Sequence, residues 1–129
     1  RSSSDRVSIR IAEMYLIAAE AGSYLPAELE KAKGYLLDLK AKRLKPEAME
    51  TQRTKVGAMD AEQLRTEIAD ERARELIGEG HRWMDLRRTT RPAIAKTYKD
   101  RTYTLNANDA RYTLPFPQSA IDSNPELND

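Results

Sequence analysis

Few folds can accommodate the stretch DERARELIGEGHRWMDLRR, which runs from Asp70 to Arg88. On a helix its acids Glu71, Glu75 and Glu79 stand one turn apart along a single edge, and unpaired they would repel one another. Arg72, Arg74, Arg82, Arg87 and Arg88 can neutralise them, and Asp85 adds a further acceptor. No Lys interrupts the run, although the rest of the chain is rich in Lys. A planar guanidinium pairs with a carboxylate through two parallel hydrogen bonds, so the choice of Arg points to specified geometry rather than solubility.

Three readings compete for this run. Paired acids can act as general acid and nucleophile in glycoside hydrolysis. Acids on adjacent turns point the same way, however, and do not straddle a substrate. Dense Arg also keeps them ionised, whereas a general acid needs a raised pKa. A plain solvated helix face is the second reading. The third, which the sequence favours, is a partly buried ion network clamping the helix that starts at Asp60 to a short helix at HRWMDLRR. Were Arg82 buried in such a clamp, Arg82→Ala would cost about 3–5 kcal/mol.

Composition narrows the function. A chain of 129 residues makes about one domain with a modest core. It is 40% hydrophobic and 33% charged, and its net charge of +1 gives no field to draw in nucleic acid, so no nucleic-acid partner is expected. The absence of Cys and the single His, His81, leave no thiol nucleophile, cysteine zinc site or multi-histidine metal site, and neither a catalytic residue nor a cofactor is expected. No segment approaches the ~20 apolar residues of a membrane-spanning helix. The opening RSSSDRVSIR lacks a Met and reads as the start of an excised piece.

Along the chain, helical periodicity appears first over about residues 8–23. Ile11, Tyr15, Ala18 and Gly22 form a broad face with Met14, Ile17 and Ala21 beside them. A second helix over about residues 27–44 carries a stripe of Leu29, Ala32, Leu36 and Leu39, with Lys31, Lys33, Asp38, Lys40 and Lys42 largely elsewhere, and Pro46 marks its end. The two make an antiparallel hairpin over residues 8–44. PEAMETQRTKVGAM has no sustained period and reads as a loop. Asp60 and Gln63 form a capping box that opens a helix carrying Leu64, Ile68 and Leu76. Gly78 and Gly80 break it, and HRWMDLRR completes a second hairpin over residues 60–90, with Trp83 and Leu86 inward. Residues 91–129, dense in turn formers and prolines, read as an extended, largely irregular tail laid over the helices. The expected fold is all-α, a single domain over residues 1–129.

Three blocks in this order, RIAEMYLIAAEA (Arg10 to Ala21), ERARELIGEGHRWMDLRR (Glu71 to Arg88) and LPFPQSAIDSNPEL (Leu114 to Leu127), resemble the C-terminal portion of the SusD/RagB family. The first block matches at Arg10, Ala12, Glu13, Leu16, Ala19, Glu20 and Ala21. The second matches at Glu71, Arg72, Glu75, Leu76, Glu79, Gly80, Arg82, Asp85, Leu86 and Arg88. In the third the matches are Pro115, Pro117, Ile121, Asn124, Pro125 and Leu127. Asp38, Lys40, Lys42 and Ala120 depart from the family pattern.

The resemblance implies tetratricopeptide-like helical hairpins and a place at the C-terminal end of a larger protein. It also implies a lipoprotein held at the extracellular face of the cell outer membrane by an N-terminal lipid anchor outside this chain. Such a protein captures glycans or other nutrients and partners a SusC-like TonB-dependent transporter. The family's glycan contacts come mainly from loops elsewhere, so no ligand-binding residue carries over. Tyr98, Tyr103 and Tyr112 could stack on a sugar, but they read first as anchors of the tail, and His81 and Trp83 read as packing residues. The competing functions are a short helical-repeat adaptor that grips a protein partner and a small glycosidase, which turnover of a glycan would reveal.

Overall fold

The computed structural model describes residues 10–128. The chain divides into two compact units, residues 1–82 and 83–129.

The first unit is built of antiparallel helices. Helix α1 (Ile11–Ser23) follows Arg10 in extended conformation; the expected start at Ser8 lies outside the described residues. Its buried stripe is Ala12, Leu16, Ala19 and Ser23. This differs from the face read in the sequence: Tyr15 of that face packs against the core, whereas Ile11, Met14 and Ile17 are exposed. Because α1 is apolar almost all round, periodicity alone does not choose its inner side. Small residues decide it, since Ala12 and Ala19 allow neighbouring helices to approach.

A 3-10 turn at Pro26–Glu28 leads into α2 (Leu29–Ala41). Gly22, at the end of α1, lies so close to α2 that a Cβ there would stand 3.0 Å from the Cβ of Ala32. The stripe Ala32, Leu36 and Leu39 is buried as expected, but Lys33 and Lys40 are buried with it. Lys33 donates to Glu30 (2.8 Å) and to the Gly57 carbonyl (2.9 Å).

The stretch read as a loop is a helix, α3 (Pro46–Gly57). Pro46 does not merely end the previous helix; it occupies the first turn of this one, where its missing N–H costs nothing. Met49 and Val56, two turns apart, are its buried residues, too sparse a stripe to show as a period. The expected start at Asp60 is confirmed in α4 (Ala61–Glu75). Gln63 N–H donates to Asp60 Oδ1 at 2.8 Å, and Asp60 N–H donates to Gln63 Oε1 at 3.0 Å. Leu64 and Ile68 are fully buried and close the core with Leu16, Leu36 and Val56. Past α4, Gly78 and Gly80 adopt φ of +79° and +81°, a left-handed turn that β-carbons disfavour.

Helix α5 (His81–Arg88) begins at the end of the first unit. In the second unit Trp83 stacks on Tyr112 at 5.2 Å between ring centroids, nearly parallel at 8°. Tyr112 is fully buried, and its hydroxyl donates to the Pro92 carbonyl. The tail is more ordered than its turn formers imply. Strands β1 (Ile94–Tyr98) and β2 (Arg101–Leu105) pair antiparallel, Ile94 opposite Leu105 and Tyr98 opposite Arg101. A 3-10 turn at Ala110–Tyr112, the short helix α6 (Gln118–Ser123) and a last 3-10 turn at Pro125–Asn128 follow. The all-α expectation holds for the main elements, and this one small hairpin is added to it among the described residues.

Candidate functional site

A helix that carries Glu67, Glu71 and Glu75 on successive turns needs cations facing the same edge, and the fold supplies them. Lys40, projecting from the C-terminal half of α2, donates to Glu67 at 2.8 Å and Glu71 at 2.9 Å. Lys55 of α3 reaches the other oxygen of Glu67 at 2.7 Å. Arg74, one turn along α4, closes on Glu71 at 2.7 Å and on Glu67 at 3.3 Å. Glu75 accepts two hydrogen bonds from Arg43, at 2.9 and 2.7 Å, and one from Arg10 at 3.0 Å. Arg10 also pairs with Glu79 and donates to the Glu75 carbonyl.

The network therefore exists, and in the ion pairs described its acids are held by Arg10 just ahead of α1, Lys40 of α2 and Arg43 just beyond it, Lys55 of α3 and Arg74 of α4 itself. Of the arginines assigned to them from the sequence, Arg74 alone takes that role in the ion pairs described. Arg72 is buried 3.6 Å from Glu13, which also lies 3.9 Å from His81. Arg88 pairs with Asp85 on its own helix at 3.0 Å. Arg82 is exposed and donates to the Ala69 carbonyl at 3.3 Å. Sequence reasoning missed Lys40, Lys55, Arg43 and Arg10 as partners. For Lys33 and Lys40 a signal was present: both fall at helical spacing on the stripe of Ala32, Leu36 and Leu39, so both had to go inward.

These acids are held ionised. Burial pushes the Glu67 carboxyl up, but hydrogen bonds from Lys40 and Lys55, with their charges, outweigh it and bring the pKa down from 4.5 to about 2. Burial likewise opposes ionisation of Glu71, and Arg74 and Lys40 overcome it. For Glu75 the Arg43 hydrogen bonds dominate and lower its pKa. Arg43 and Arg74 are raised in turn by their carboxylate partners. A carboxylate in this state cannot deliver a proton to a leaving group near neutral pH.

Around the network lies a cleft of about 500 Å³, lined by Lys40, Arg43, Gln52, Lys55, Glu67 and Arg74 among others. Each of its three acids already accepts from at least two cations. Gln52 Oε1 is buried on its wall with no hydrogen-bond partner among the described residues. Among those residues no group of three or more His, Cys, Asp or Glu could hold a metal ion, and no helix is long and apolar enough to cross a membrane. The chemistry of this site is charge pairing.

The candidate tyrosines separate. Tyr112 is the buried anchor of the second unit, while Tyr98 and Tyr103 stand exposed on the β1–β2 ribbon. Trp83 packs by stacking on Tyr112 but is not turned inward as expected: it stays 37% exposed, Leu86 is half-buried, and no residue of α5 is buried.

Set against protein families, the chain matches that described as the SusD family over residues 1–129. No curated protein matches it. The match extends from the first residue to the last, so the three ordered blocks, the helical fold and the Arg- and Glu-rich α4 lie within one continuous correspondence: the chain belongs to the SusD family.

Proposed function

We propose that this chain is the C-terminal part of a cell-surface lipoprotein that captures glycans or related nutrients. In this reading it passes them to a SusC-like TonB-dependent transporter of the outer membrane, with an N-terminal lipid anchor supplied by a preceding segment. Proteins of the SusD family bind glycans and other nutrients rather than transform them, and the family is associated with the outer-membrane surface. The observation that carries the reading is the family match over the whole of residues 1–129. The site chemistry agrees with it: every acid in the α2–α3–α4 cleft is committed to cations, which suits a scaffold that binds without turnover.

The test is to titrate the protein with a panel of soluble polysaccharides by affinity electrophoresis while assaying for released reducing ends, and to purify it from native outer membranes. Retardation by at least one glycan, no new reducing ends and co-purification of a TonB-dependent transporter are expected. Release of sugar, or isolation from membranes without any transporter, would overturn the reading.

A further inference from the structure

The β1–β2 ribbon presents an unusual face. In an antiparallel pair, residues directly opposite one another point to the same side. Ile94, Lys96 and Tyr98 of β1 therefore share a face with Leu105, Tyr103 and Arg101 of β2. Thr97 and Thr102, bonded through their hydroxyls at 3.1 Å, lie on the other face with Ala95 and Thr104. The first face is a chequerboard in which Lys96 is opposite Tyr103 and Arg101 is opposite Tyr98. Tyr98 is 67% and Tyr103 57% exposed. At the turn, Lys99 sits 5.6 Å from the centroid of the Tyr98 ring. Asp100 is the single acid between Ile94 and Leu105, against three cations.

We propose that this face is a docking strip for a polyuronate, an acidic polysaccharide with one carboxylate per sugar. A tyrosine ring offers a flat apolar surface to the C–H face of a sugar, and a neighbouring guanidinium or ammonium pairs with its carboxylate. The strip supplies one cation opposite each ring, which matches one charge per sugar. The two tyrosines sit diagonally, about 7–8 Å apart at their backbone origins, within reach of neighbouring sugars.

Edge protection does not explain the arrangement. Lys and Arg on a free strand keep it from pairing with other chains, but that role needs no exposed rings beside them. Anchoring does not explain it either, because Tyr112 shows the anchored state: buried, stacked on Trp83 and hydrogen-bonded through its hydroxyl. A nucleic-acid strand is a poorer fit, since its capture leans on a strong positive field and the chain carries a net charge of +1.

This inference rests on the glycan-binding reading and narrows it to a ligand class. The experiment is affinity electrophoresis of the 129-residue chain in gels containing polygalacturonate, neutral dextran or dextran sulfate, with a fluorescent single-stranded oligonucleotide as a further probe. Two double variants, Tyr98→Ala with Tyr103→Ala and Lys96→Gln with Arg101→Gln, alter exposed side chains, and circular dichroism checks that their fold is retained. The expected result is selective retardation by polygalacturonate, weakened by salt, with affinity falling about a hundredfold in the variant that lacks both rings, tenfold for each, and a loss of similar size in the cation variant. Unchanged polygalacturonate binding in both variants overturns the strip. So does equal binding of dextran sulfate or the oligonucleotide, which would mark simple attraction of polyanions. Binding of dextran alone, or of no glycan, overturns the strip and leaves the glycan-binding reading standing, because the family's glycan contacts come mainly from loops elsewhere; that reading falls on release of sugar or on isolation without a transporter.

Discussion

Lys40 shows how one buried charge organises its surroundings. Its ammonium group, on a residue 5% exposed, is shared between Glu67 and Glu71. Removing it leaves Glu67 to Lys55 and Arg74, and Glu71 to Arg74 alone, and takes away the cation that bridges the two acids. Lys40→Met is therefore expected to destabilise the fold by about 1.5–3 kcal/mol in denaturant titrations, the cost of a lost charge-assisted hydrogen bond. Arg82→Ala is the contrast. The sequence made Arg82 a member of a buried clamp, but it is exposed and holds one carbonyl. Its loss is expected to stay within about 0.5 kcal/mol, and a cost of several kcal/mol would restore the original clamp. Acid sensitivity follows from the same residues. The pKa of Glu67 is lowered on folding, so the folded state binds fewer protons than the unfolded one. The stability it contributes is complete above its ordinary value of 4.5 and drains away as pH falls toward about 2. Thermal midpoints measured across that window should fall steadily in the native chain, and less in Glu67→Gln, which has no proton to take up there.

At the scale of elements, the legible parts were those with strong local chemistry. The capping box at Asp60 and Gln63 located the start of α4, and Gly78 with Gly80 located the break beyond it. The stripe of α2 was legible as well. Helix α3 was not, because it buries only Met49 and Val56 and otherwise presents polar residues to solvent; tertiary contact, not amphipathic period, holds it. The β-hairpin did leave a signal, an alternation of Thr with Ile, Lys, Tyr and Arg around Lys99 and Asp100, but the surrounding turn formers obscured it. The inner side of α1 was misread for a different reason: two apolar faces competed, and the closer approach won. Gly22 tests that explanation. With 3.0 Å between its notional Cβ and that of Ala32, Gly22→Leu has to push α1 from α2 and is expected to cost about 1–3 kcal/mol. A neutral Gly22→Leu would show that the interface has slack.

For the whole molecule, the chain belongs to a family of binding proteins, and the acids of α4 are engaged in internal ion pairs. The sequence identified the family from three blocks and read the acid edge from spacing as Glu71, Glu75 and Glu79, but it missed Glu67 and the partners of that edge. Those come from Arg10, Lys40, Arg43 and Lys55, as far as 65 residues away in sequence, and long-range pairing leaves no mark in a local window. The reading depends on the acids of α4 being permanently charged and structurally engaged. Carboxyl NMR titration of the side-chain-labelled chain measures this directly. Glu67 is expected to titrate at about 2, with Glu71 and Glu75 below the ordinary 4.5. Any of the three titrating above 4.5 would reveal an acid able to hold a proton, and would contradict the account.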